Sequence, residues 1–183
     1  MKKVAVLLAD GFEEVEAITP VDFLRRAGIK VYLSSIDKEM VTGAHQLSIK
    51  TDCLINALPS DLDAIILPGG MPGAENLAQC QDVIKLLDDM NADNKLIAAI
   101  CAAPAVVLAK NGLLKGRNFT CYPGFEESVT DANFSAERVV QDGCFITSRG
   151  PGSAAEFSLA VIEYLVGSTV ANSVKEETLQ NCA

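Results

Sequence analysis
Residues 96–110 read LIAAICAAPAVVLAK, and this stretch decides the fold. Leu96-Ile97-Ala98-Ala99-Ile100 is a short unbroken apolar run, the mark of a strand covered on both faces. It passes directly through Cys101 into a helical segment, Ala102 to Lys110, closed by Asn111-Gly112. A strand that turns into a helix at one residue is the repeating joint of a parallel sheet. The same joint recurs on either side. Val4-Ala5-Val6-Leu7-Leu8 precedes Gly11 and a helix from about Glu13 to Ala27, ended by Gly28; Ile29–Ile36 is a second strand. Ala64-Ile65-Ile66-Leu67 stops at Pro68-Gly69-Gly70, ahead of two helical segments near 74–77 and 82–91.

Between these units, Val41 to Cys53 alternates around Gly43, as a hairpin or edge excursion does. After the Cys101 helix come a short strand, Asn118–Cys121, a Pro123-Gly124 turn, and a hairpin of Arg138–Gln141 with Cys144–Ser148 turning at Asp142-Gly143. Arg149-Gly150-Pro151-Gly152 opens a long helix to Leu165, and Gly167 separates it from a last helix, Val170 to about Leu179. Strands alternating with helices predict an α/β sandwich, a mostly parallel sheet with helices on both faces. No linker, repeat or low-complexity stretch interrupts the pattern, so residues 1–183 are expected to form one domain.

Composition narrows the function. The 183 residues are 49% hydrophobic and 21% charged, with a formal net charge of −9. Nucleic acid is disfavoured, because a binder needs a basic stripe and Lys2-Lys3 and Arg25-Arg26 are too small a footprint. The apolar run after Lys3 is shorter than a signal-peptide core and is followed by acid, so it reads as a buried strand. Nothing approaches the roughly 18 apolar residues of a membrane span. Six cysteines (Cys53, Cys80, Cys101, Cys121, Cys144, Cys182) show no CxxC pair, which predicts reduced thiols in a cytoplasmic protein.

Ligands bind at the carboxyl ends of strands in such sheets, which here means Asp10-Gly11, Pro68-Gly69-Gly70 and Ile100-Cys101. A cysteine at a strand-to-helix turn faces free helix N–H groups, which favour a thiolate and can hold an oxyanion; a small buried hydrophobe is the plainer alternative. Gly69-Gly70 lets backbone N–H groups approach a ligand or simply makes a tight turn. GxxxxGK[ST] and GxGxxG are both absent, which disfavours nucleotides. Glu13, Glu14 and Glu16 all suit a helix N-terminus. Glu16, at the start of an apolar stretch, is a candidate proton shuttle with a raised pKa, but Glu14 also shares a face with Ala17, Ile18 and Val21. The single histidine, His45, has nothing local to aim it at Cys101, and no metal cage is expected.

Four blocks in this order, LADGFEEVEAITPVDFLRRAGIKV, DAIILPGGMPGAENL, IAAICAAPAVVLA and ITSRGPGSAAEFSLAVIEYLVG, resemble the ThiJ/PfpI superfamily over essentially the whole chain. Within it the match is to the DJ-one branch, which holds a parkinsonism-associated deglycase and bacterial relatives. The resemblance implies a flavodoxin-like three-layer sandwich and a homodimer. It puts the reactive cysteine on Cys101, its partner acid on Glu16, and an oxyanion pocket on Gly69, Gly70 and the N–H of Ala102. It places Gly150 and Pro151 near the pocket and the dimer contact. Two departures matter. Tyr122-Pro123 stands where the deglycase branch has a histidine before proline, so Tyr122 becomes the candidate substrate donor. Ala102 stands where the peptidase branch has a histidine, and a glutamine amidotransferase would need a downstream His-x-Glu. The implied activity is cofactor-free attack on dicarbonyls such as methylglyoxal and glyoxal, or on early glycation adducts. The competing expectation is a redox sensor or holdase in which Cys101 becomes a sulfinate.

Overall fold
The computed structural model of the chain describes residues 1–180. Strand β1 (Lys3–Leu8) leads into helix α1 (Glu14–Arg26) and strand β2 (Lys30–Ser35). Strands β3 (Met40–Thr42) and β4 (Ser48–Lys50) form the excursion as an antiparallel hairpin, and the two-residue β5 (Cys53–Leu54) follows. Then come β6 (Ala64–Leu67), α2 (Gly73–Gln79), α3 (Gln81–Ala92) and β7 (Leu96–Ile100). The chain finishes with β8 (Asn118–Phe119), β9 (Asn133–Phe134), β10 (Val139–Asp142), β11 (Phe145–Ser148), α4 (Ala154–Val166) and α5 (Ser168–Glu177).

The main sheet runs β10-β11-β7-β6-β1-β2-β5 and is parallel except at the β10 edge. Leaving aside the edge strands β5 and β10, this is the doubly wound order 2-1-3-4-5 of flavodoxin-like sheets. The apolar runs explain the layering. Side chains alternate across a strand, so Val4, Val6, Leu8, Ile66 and Ala98 face α1, α4 and α5, while Ala5, Leu7, Ile65, Leu67 and Ala99 face α2 and α3. Phe157 of α4 and Leu87 of α3, both fully buried, close the two layers against the sheet. The chain leaves β1 towards β2 and later returns to β6 on the other flank. The crevice this reversal opens lies at the carboxyl ends of β1, β6 and β7.

Three details differ from the sequence reading. The segment after Cys101 is a π-helix at Pro104–Ala109, with Lys110 N–H reaching back five residues to the Ala105 carbonyl at 3.3 Å. An apolar period cannot separate this wider winding from an α-helix, since both bury Ala105, Val107 and Leu108. β8 ends at Phe119 because the next N–H, that of Thr120, turns to the Thr147 hydroxyl at 2.9 Å. β9, which pairs in parallel with β8, carries too short a pattern to read in advance. Cys53, Cys80, Cys101, Cys121 and Cys144 are free thiols, and Cys182 lies outside the described residues. Among the described residues no helix is long and apolar enough to cross a membrane.

The core prediction is specific. Leu87→Ala, far from the crevice, should cost about 2–5 kcal/mol in urea unfolding and leave the alkylation rate of Cys101 in the folded protein unchanged.

Candidate functional site
Cys101 sits at the tip of β7 with φ +65, the left-handed region that non-glycine residues avoid. Its backbone is held there from two sides. Its N–H donates to the Ser148 carbonyl at 2.9 Å, and its own carbonyl accepts the Tyr122 N–H at 2.8 Å. Such a conformation costs of order 1–3 kcal/mol and persists only where neighbours over-determine it. The result is a half-buried thiol thrust out of the sheet at the mouth of the crevice.

The loop after β6 makes the facing wall. Gly69 comes so close that a Cβ added to it would lie 2.6 Å from Cys101 Cβ and 2.8 Å from Glu16 Oε2. Gly70 takes φ +86, and a Cβ there would meet the Glu13 nitrogen at 2.3 Å. Both glycines are therefore demanded by close approach. The N–H groups of Gly70 and Ala102 point at the Cys101 sulfur and favour its charged form.

Glu16, in the first turn of α1, is fully buried. Its Oε2 accepts the Gly69 N–H at 2.9 Å, and Oε1 has no hydrogen-bond partner. The carboxyl and the Cys101 thiol face each other closely enough for each to shift the other's titration. Burial pushes the carboxyl up to about 7, against the pull of the Cys101 thiol and the Gly69 N–H. Burial, and then the charge on Glu16, push the thiol up to about 12. The expected thiolate-stabilising N–H groups are present but outweighed. At neutral pH the proton stays on sulfur until something takes it, and the ionised Glu16 is the group placed to do so.

The remaining candidates divide. Tyr122, 46% exposed, lies over Gly150, where an added Cβ would touch its ring at 3.2 Å and come within 3.9 Å of Glu16 Oε1. Pro151 starts a short 3-10 turn beside it and lines the same depression as Tyr122. Glu14 goes elsewhere. It accepts the His45 and Leu47 N–H groups at 2.8 and 3.4 Å and meets His45 Nδ1 at 3.0 Å, so it clamps the β3–β4 loop. The structure thus pairs His45 with Glu14 and Glu13 and not with Cys101. Glu13, Glu14 and His45 are the one group among the described residues whose ligand atoms gather as a metal site requires, but these hydrogen bonds already engage Glu14 and His45. Glu13, which the sequence reading took only as an acid suited to the helix N-terminus, also acts on the site, because its charge helps raise Glu16.

The profile described as the DJ-1/PfpI family matches residues 2–164. The zebrafish (Danio rerio) Parkinson disease protein 7 homolog is 39% identical over 180 residues, covering 95% of each chain. Deglycase PfpI of Pyrococcus furiosus is 34% identical over 153 residues, covering 82% of this chain and 91% of that protein. Protein DJ-1 homolog B of Arabidopsis thaliana is 40% identical over 91% of this chain, but the chain spans only 39% of that protein and 46% of its homolog A. The structure of oxidized Toxoplasma gondii DJ-1 superposes with a TM-score of 0.95 at 40% identity, covering 98% of both chains.

Two outcomes test the site. Because Glu16 titrates near 7 in the fold and near 4.5 when free, the folded state holds its proton more tightly. That contribution is complete below pH 4.5 and is lost as pH rises through about 7, a total of about 3 kcal/mol. Glu16→Gln should flatten this part of the stability profile in urea titrations between acid and neutral pH. Gly69→Ala, which inserts a methyl between thiol and carboxyl, should cost about 1–3 kcal/mol and slow the alkylation of Cys101 by iodoacetamide relative to the parent.

Proposed function
The chain belongs to the DJ-1/PfpI family, and from that premise we propose that it is a cysteine-dependent enzyme of the glyoxalase and deglycase type, acting on reactive dicarbonyls or their early adducts. The observation that carries the reading is the Cys101 thiol set against the buried Glu16 carboxyl, with the N–H groups of Gly70 and Ala102 aimed at the sulfur.

Each group has a task. The ionised Glu16 accepts the thiol proton as sulfur adds to the aldehyde carbon of methylglyoxal, so a C–S bond forms and the carbonyl π pair moves to oxygen. Gly70 and Ala102 N–H groups hold that oxygen. Glu16 returns that proton to the alkoxide, which gives a hemithioacetal and restores the carboxylate; it then takes the carbon-bound proton to form an enediol and delivers it to the neighbouring carbon, which leaves a lactoyl thioester on Cys101. Water breaks the C–S bond and returns lactate and the thiol; the sum is methylglyoxal plus water to lactate. Tyr122 is the candidate donor to the second carbonyl. The reading treats residues 1–183 as one cofactor-free domain of a cytoplasmic homodimer, and proteolysis forms no part of it.

A second reading is favoured by one observation. Glu16 Oε1 is buried and unpartnered on a carboxyl that faces the Cys101 thiol, so the carboxyl has an acceptor free for an oxygen carried on Cys101. The relative solved in its oxidized form agrees with such chemistry. In that reading peroxide converts the thiol to a sulfinate and the protein reports oxidation without turnover.

Lactate release from methylglyoxal separates the two. The enzyme reading expects turnover that vanishes in Cys101→Ala and a kcat/KM that rises with pH through about 7 as Glu16 ionises. Equal rates in parent and variant would sink it. The sensor reading expects two-oxygen addition at Cys101 ahead of the other cysteines under mild peroxide, read by peptide mass spectrometry.

A further inference from the structure
On the far side of Gly150 from Glu16 the surface falls into a depression of about 200 Å³, lined by Tyr122, Pro123, Arg138, Arg149, Gly150 and Pro151 among others. Gly150 is the saddle between it and the buried Glu16 carboxyl: a Cβ built there would lie 3.2 Å from the Tyr122 ring and 3.9 Å from Glu16 Oε1. The two arginines are unlike. Arg138 is spent: it grips the Glu156 carboxylate through Nε at 2.9 Å and Nη2 at 2.7 Å and also donates to the Gly152 carbonyl. Arg149 is half-buried, donates Nη1 to the Ala136 carbonyl at 3.2 Å, and lies 5.9 Å from the centre of the Phe134 ring. Among the described residues no carboxylate pairs with it. The acid that shares its neighbourhood, Glu126 across Cys121, is held by the Gly124 N–H at 2.6 Å.

An uncompensated guanidinium in a chain of net charge −9 is a selective anion site, because most of the surface repels what it attracts. Its fork matches a carboxylate in shape. Arg149 is also the residue next to Gly150, one Cα step from the saddle. A molecule whose aldehyde carbon meets Cys101 would run past Tyr122 and Gly150 and end at Arg149.

We propose that Arg149 is the anion-binding residue of the Cys101 site, and that the substrates it selects are 2-oxo aldehydes with a carboxylate at the far end. The assignment rests on the dicarbonyl reading for the reactive end alone; the anion site stands on its own geometry.

The test uses two alkylating probes that differ in charge. In iodoacetate and iodoacetamide alike, the Cys101 sulfur displaces iodide, a C–S bond replacing C–I and the thiol proton leaving to Glu16 or solvent. Only iodoacetate carries the carboxylate. Arg149→Met should lower the iodoacetate-to-iodoacetamide rate ratio at Cys101 by about tenfold, and Arg149→Lys should retain most of it. A ratio within about twofold of the parent in Arg149→Met overturns the proposal. Taking the ratio cancels any general loss of thiol reactivity, and the lysine variant covers a methionine variant that fails to fold. Neither measurement needs turnover, so an absence of lactate formation leaves the anion site standing. With turnover, kcat/KM for 4,5-dioxopentanoate should fall in Arg149→Met by a larger factor than kcat/KM for methylglyoxal.

Discussion

The hydrogen bond from the Gly69 N–H to Glu16 Oε2 joins two elements that are 53 residues apart in the chain. It fixes the first turn of α1 against the loop after β6, and the crevice takes its shape from that junction. Glu16 makes no other conventional hydrogen bond, so a fully buried carboxyl depends on one donor and one thiol. Burying a carboxyl with so little compensation costs free energy. The cost shows itself as a carboxyl that is half protonated near neutral pH, which is the condition a proton shuttle requires. Removing the glycine would remove both the donor's position and the space. Fold and chemistry therefore share a single constraint, the absence of a side chain at residue 69.

The electrostatics of the pair run against the simplest picture of an activated cysteine. The N–H groups of Gly70, in the loop after β6, and of Ala102, at the strand-to-helix turn, do lower the thiol pKa, yet burial and a facing carboxylate raise it further. The pair behaves as one titrating unit that gives up its first proton near 7 and resists losing the second. In the proposed reaction, reactivity belongs to encounters in which an electrophile arrives and the proton crosses to Glu16.

Much of this was legible in residue order. Unbroken apolar runs at 4–8, 64–67 and 96–100 gave the parallel strands, and their shared endings in glycine or cysteine marked the crevice. Pattern alone could not choose between Glu14 and Glu16, because both are buried; the difference is what each meets. Glu14 meets a loop 31 residues away, and Glu16 meets a loop 53 residues away. Contacts of that range leave no periodic trace. The winding of the helix after Cys101 was hidden for a different reason, since α and π turns bury the same small side chains. Arg149 was masked by its block: within ITSRGPG it reads as part of a turn, and its lack of a carboxylate partner is a fact of three dimensions.

The double tether on Cys101 has a consequence for how the site accommodates bulk. Ser148 and Tyr122 hold the backbone on either side of the thiol, and Gly69 and Gly70 leave no slack behind it. Whatever becomes attached to the sulfur cannot be housed by a shift of the main chain. Side chains must make the room, and among the walls described the half-exposed Tyr122 ring is the one that borders solvent. The site is a rigid socket with one movable shutter, and the size of what it admits is set by how far that ring can swing.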